Sequence, residues 1–356
     1  LAAVLAERGV SFETMTYDGN PPDGSNVKLA RRVADTLDVE NKCITFTPGE
    51  FARRVEQGVG ITSGMVPWSL FFHPDYLLGE LHGDADIVME AAPQGELFSE
   101  QPWLHHLEGV DSPLDGIMPL GGNVDGELIG DLLWDDVDPR DSVRAEIAES
   151  DGDSQADTIM DVWFRNFCSN THFRSNDIYR SQVGMRLPFV DRSLLDHLAQ
   201  MPHESLRIGS LPFTNGRIPR SMSPLKKRLI NSLDREMASI PYERTRLPLT
   251  RALWLHDAAF VAKHVRWRVT GSPEWHLRTW YREHDRVREA VDGWLTDACD
   301  RGLFDADVLR RIQREQKQQE ANHFSAIAVV TTVECWLQQV VDDADVTPPS
   351  QVPVTG

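Results

Sequence analysis

Gly184-Met185-Arg186-Leu187-Pro188-Phe189-Val190-Asp191-Arg192 is followed by Leu194, Leu195 and Leu198, and then by Met201-Pro202. From Leu194 to Met201 the apolar positions have helical spacing, and Pro188 with Phe189 marks a turn in front of them. Arg186 and Asp191 flank that turn and read as a structural pair bracing it, because buried charges are tolerated when paired. Far upstream, Val10 to Tyr17 alternates like a strand. Asp18 to Ser25 is dense in turn residues, with Ser25 a candidate helix N-cap. Leu29, Ala30, Val33, Ala34 and Leu37 then recur at three and four, so Val27 to Leu37 is an amphipathic helix, and Cys43 to Phe46 is the next strand. Strand, helix, strand in this order predicts a parallel sheet with crossover helices, an α/β fold.

The chain has 356 residues, enough to bury a full core. Acidic residues outnumber basic ones, 55 to 36, for a formal charge of −19, and only six lysines stand against thirty arginines. A carboxylate-rich, lysine-poor surface of this kind points to a haloarchaeal cytoplasmic protein that stays hydrated in concentrated salt. Such a charge argues against a broad nucleic-acid-binding surface. Cys43, Cys168, Cys299 and Cys335 lack CxxC spacing, which leaves reduced, mostly buried thiols as the reading. No apolar run approaches the roughly 20 residues that span a bilayer, so no membrane partner is expected.

Further along, Pro48 to Val59 and Leu70 to Leu81 read as helices and Asp86 to Met89 as a buried strand. Asp135 to Asp157, charged and poor in apolar residues, reads as a solvated surface connection. Ile159 to Phe173, Arg251 to Val265, Val287 to Cys299, Ala306 to Gln319 and Ser325 to Val341 read helical. The tryptophans spread through these helices are expected in the core. The histidines lack metal-ligand spacing, with Glu320 and His323 an isolated pair.

The Arg186 to Asp191 run resembles the Arg-x-Pro-Phe-Leu-Asp signature of the asparagine synthetase C-terminal domain, and Phe12 to Phe46 resembles the segment that follows that family's phosphate loop. Pro224 to Ile230 and Ile240 to Arg246 resemble its Lys-x-x-Leu-Arg helix and its later Arg-x-Lys turn. The resemblance implies a parallel sheet of the ATP-pyrophosphatase (adenine nucleotide alpha hydrolase-like, Rossmann-like) type, followed by a mostly helical C-terminal portion. The expected division is a nucleotide-binding core at 1–135, a helical remainder at 136–341 and a disordered tail at 342–356. The family's Ser-Gly-Gly-x-Asp-Ser loop would lie just before Leu1, so the chain reads as a fragment.

The resemblance implies ATP and Mg2+ as cofactors. It also implies aspartate or another carboxylate as acceptor, glutamine or ammonia as nitrogen donor, and a possible homodimer. Thr16, ending a strand at the carboxyl edge of the sheet, is the adenosine-side candidate. Two loops compete for the family's acidic magnesium and pyrophosphate loop. Spacing favours Ile87 to Phe98, where Glu96 survives, whereas residue type favours Leu120 to Gly130, with Asp125 and Glu127. Arg174, in an Arg-x-Asn match, is a candidate for the active cleft, and Arg246 stands where the family has a lysine that stabilises developing charge. Arginine keeps that charge but cannot transfer a proton. Lys226 or Lys227 is a further charge candidate. Gly184 replaces a family glutamate, and with Arg246 it keeps a second reading open, that of a catalytically silent binding or scaffold protein.

Overall fold

A computed structural model describes residues 1–18, 25–45, 47–70, 85–91, 110–118, 126–133, 138–201, 208–211, 214, 218–271 and 276–342. It is a mixed α/β structure, mostly helical, with two small two-stranded sheets among the described residues. Two compact units interleave along the chain. The first unit comprises 1–46, 89–109 and 186–276, and the second comprises 47–88, 110–185 and 277–356.

In the first unit, β1 (Thr14–Asp18) and β2 (Asn41–Thr45) pair in parallel, Thr14 opposite Asn41 and Asp18 opposite Thr45. The connection is the helix Ser25–Leu37, so the expected strand, helix, strand unit is present. β1 starts four residues later than the alternation implied, and Val10 is exposed. The helix Pro224–Leu233 is N-capped by the Ser223 hydroxyl, and the 18-residue helix Leu253–Thr270 follows. Met222, Ala238 and Leu249 are buried together, with Ile230, Tyr242 and Leu253 packed around them.

The second unit is built on helices. Phe51, Val55 and Val59 recur every four residues along Phe51–Thr62 and are buried. Trp68 lies edge-on between Phe51, 5.1 Å away, and Phe324, 5.4 Å away. Its indole N–H donates to Thr331 Oγ1 at 2.8 Å and its backbone N–H to Thr332 Oγ1 at 3.0 Å. The segment Phe324–Asp342 is long and apolar enough to cross a membrane by length and composition, contrary to the expectation that no run approaches that length. Part of it packs inward: Ile327, Ala328 and Cys335 are buried, whereas Val340 and Val341 are exposed, and Glu334 is fully enclosed and gripped by Arg301 through two 2.7 Å bonds.

β3 (Ile87–Met89) and β4 (Gly184–Arg186) are paired. β3 is not the buried strand expected of its apolar run, since Ile87 and Met89 are exposed. Gly184 donates its N–H to the Asp86 carbonyl at 2.9 Å, and a Cβ there would sit 3.0 Å from that same oxygen. The close strand approach thus accounts for glycine at this position.

Several other expectations shift. The charged 135–157 stretch contains the helix Pro139–Ala148, started by Pro139 and capped by the Asp138 carboxylate; it has no buried residue, so composition concealed a surface helix. Ile159 to Phe173 divides into an α-helix, Gln155–Val162, and a ten-residue π-helix, Trp163–His172. Asp191 is exposed and caps the helix Arg192–Ala199 by accepting from the Ser193 and Leu194 N–H groups, so it serves the helix end instead of a buried pair. Trp163, Trp280 and Trp294 are buried, but Trp254 is exposed. His323 is held by Glu315, 2.6 Å away, and not by Glu320. No disulfide joins the cysteines; Cys168 and Cys335 are buried, Cys43 and Cys299 partly so. Residues 71–81 of the expected Leu70 to Leu81 helix, residues 343–356 of the expected 342–356 tail, and Trp134 and Trp275 lie outside the described residues.

Candidate functional site

β1 carries Thr16 to the edge of a cavity of about 410 Å³ within the first unit. One wall is the helix after β1, which presents Asn26, Leu29, Ala30 and Val33 because three- and four-residue steps stay on one face. The facing wall is Ile230, Met237, Ile240, Pro241, Tyr242, Glu243 and Leu249. Most of this lining is apolar, with polar groups at the β1 end, and its size suits a small organic ligand. Asn41, at the start of β2, reaches across the parallel pair and donates to Thr14 Oγ1 at 2.9 Å and Thr16 Oγ1 at 3.1 Å. Since the second of these bonds occupies an acceptor position on the Thr16 oxygen, its O–H proton can be donated elsewhere. Beside Thr16, desolvation followed by the Glu90 and Glu243 carboxylates pushes the Tyr17 phenol pKa up, so Tyr17 stays a neutral donor.

The 241–248 loop that supplies Pro241, Tyr242 and Glu243 closes on itself. Pro241 and Pro248 form an antiparallel bridge, and Tyr242 N–H donates to the Leu247 carbonyl at 2.9 Å. Arg246 takes the left-handed conformation, φ +58°, while its N–H donates to the Tyr242 carbonyl at 2.7 Å. Lys226 Nζ stands 5.8 Å from the centroid of the Tyr242 ring, within cation–π range. Three expected residues therefore gather in this unit: Thr16 lines the cavity, Lys226 covers the ring of a lining residue, and Arg246 belongs to the loop that forms one wall.

A family model described as Asparagine synthase matches residues 1–338. The chain belongs to the asparagine synthase family. Neither the curated proteins nor the solved structures returned a match. Asparagine synthase membership makes this a ligase-type protein whose family chemistry depends on ATP and generally on Mg2+. The cavity fits the base and sugar of a nucleotide, having apolar walls on two sides and Thr16, Asn26 and Glu243 as polar edge groups. For magnesium, no group of three or more ligating side chains occurs among the described residues. Asp125 and Glu96 lie outside them. Glu127 opens the helix Gly126–Leu132 in the second unit and lines a separate cavity of about 300 Å³ with Asp131, Arg311, Asn322 and His323. Arg174, also in the second unit, is half-exposed and pairs with Asp177 at 3.6 Å.

Sequence reasoning assigned no role to Asn41, Asn26, Tyr242 or Glu243. Tyr242 and Glu243 lie inside the quoted Ile240 to Arg246 match, so proximity to Arg246 was an available signal. Asn41 had none, because its role comes from its register opposite Thr14.

Proposed function

We propose that this protein joins a carboxylate to ammonia at the expense of ATP, as an asparagine synthetase that converts aspartate to asparagine and draws ammonia from glutamine or solution. The carboxylate oxygen would attack the α-phosphorus and release pyrophosphate; ammonia would then attack the acyl carbon and release AMP. The observation that supports this reading best is the cavity shared by Thr16, which is the middle residue of β1 and does not end the strand as expected, and the Tyr242-Glu243 wall, with the Arg246 loop adjoining. Thr16 would donate its hydroxyl proton to the nucleoside, and the apolar walls would exclude water from the base. Arg246 and Lys226 would supply fixed positive charge near developing negative charge, with Arg246 limited to charge and hydrogen bonding. The sheet is read as the ATP-pyrophosphatase type, and the expected cytoplasmic location and homodimer belong to the same proposal. Asp125 and Glu127 remain the proposed magnesium carboxylates, with Glu96 as the rival.

A second reading, a silent binding or scaffold protein, draws on Gly184, where the strand pair leaves no room for the family's glutamate without a shift. ATP–pyrophosphate exchange by the full-length protein in concentrated KCl tests the choice. Exchange that needs both magnesium and a carboxylate substrate, and that Asp125→Asn depresses, is expected of the ligase. No exchange from a folded protein favours the scaffold.

A further inference from the structure

Arg246 is not a glycine, yet it sits in left-handed backbone, a placement that costs on the order of 1–2 kcal/mol. Such a conformation persists only where its surroundings over-determine it. The bonds that do so come from the helix Leu253–Thr270. His256 is completely buried and touches the loop at two points: Nε2 lies 3.1 Å from the Pro248 carbonyl at its base, and Nδ1 lies 2.7 Å from Thr245 Oγ1, next to Arg246. A carbonyl only accepts, so Nε2 carries the proton; in the neutral ring Nδ1 then accepts, and Thr245 donates its hydroxyl proton to it. Lys263, two turns further along the helix, donates to the Arg244 carbonyl at 3.3 Å. Asp257, adjacent to His256 and also buried, accepts from the Ser221 N–H and hydroxyl, each at 2.9 Å, and pairs with Arg220 at 3.3 Å. Arg244 returns to this cluster by donating to the Ser221 carbonyl at 3.3 Å.

We infer that His256 and Thr245 are positioning residues, whose paired hydrogen bonds hold the 241–248 loop in the one conformation that directs Arg246 and the Tyr242-Glu243 wall at the reacting groups. This rests on reading the loop as part of the ligase site. The helix face acts as a mould. His256 bonds both the Pro248 carbonyl at the base and Thr245 near the tip of the loop, so that losing the tip bond frees Arg246 without opening the base. Thr245→Val removes the hydroxyl while keeping the shape; Thr245→Ser keeps the hydroxyl. His256→Gln retains a donor for the Pro248 carbonyl but moves its acceptor oxygen away from the Nδ1 position that faces Thr245.

The test is ATP–pyrophosphate exchange by the full-length protein, parent and variants, with the melting temperature of each recorded. Loss of one buried bond is expected to lower exchange about tenfold in Thr245→Val and in His256→Gln, with Thr245→Ser restored to within about twofold. The deciding measurement is a double-mutant cycle: in an Arg246→Ala background, Thr245→Val is expected to cause no further loss. Thr245→Val exchange equal to the parent's, or full additivity with Arg246→Ala, overturns the positioning role while leaving the proposed function standing. A folded parent without exchange overturns both.

Discussion

The second unit is held by packing and the first by hydrogen bonds to turns. In the second, Trp68 is closed in by Phe51 and Phe324 and tied to two threonines of one helix, and Glu334 is enclosed against Arg301. In the first, two five-residue strands and a small apolar cluster support a cavity, and the loop beside it depends on His256, Lys263 and the Ser221–Asp257 bonds. Burial of large side chains gives stability without direction, whereas hydrogen bonds fix a side chain to a fraction of an ångström and stabilise little on net. Substrate-facing groups on turns need the second kind of support.

The largest expected break in this contrast is Glu334→Ala. It removes the two Arg301–Glu334 bonds while Asp342 still pairs the guanidinium, and should cost about 2 kcal/mol, the range for hydrogen bonds to charged groups. Urea unfolding should report the loss as a lower midpoint, with nucleotide binding by the folded protein retained. Arg246→Gly should do the reverse. Relief of left-handed strain and the greater freedom of glycine in the unfolded chain offset each other to within about 1 kcal/mol, while exchange falls by at least tenfold. A melting scan beside an exchange assay separates the two outcomes. The smallest effect concerns acid. Burial first, with Lys227 adding to it against the Pro248 carbonyl and Asp257, holds the His256 imidazole below its ordinary value of about 6.5. The unfolded chain therefore takes up a proton as pH falls through about 6.5 that the folded protein resists, and the stability His256 contributes is lost on the acid side. Unfolding midpoints compared at pH 7.5 and 5.5 should show a slightly larger drop for the parent than for His256→Gln.

The sequence disclosed the parts of the fold that depend on near neighbours. Alternation near Tyr17, the turn residues before Ser25 and the spacing from Leu29 to Leu37 were enough for the parallel pair and its crossover helix. Composition misled where it outweighed a local signal. The Asp138-Pro139 start of a helix was hidden by the charge around it, and Trp254 was assigned to the core on residue type. Thr16, Lys226 and Arg246 are candidates from pattern and resemblance, whereas the residues that hydrogen-bond around them leave no signal in the sequence. Asp257 reaches Ser221 across 36 positions, and Asn41 reaches Thr16 across 25, distances at which no periodicity operates.

The π-helix Trp163–His172 changes how residues must be counted along the second unit. The Ser169 hydroxyl there donates to the Phe164 carbonyl, five residues back. A wide turn advances fewer degrees per residue than the 3.6-residue turn of an α-helix, so the phase of the side chains slips across the segment. Arg174, just beyond it, consequently faces a direction that ordinary helical counting from Ile159 does not give. An alignment that spaces residues 163–172 as α-helix will rotate Arg174 out of register, and deleting a single residue within the segment should turn it to another face.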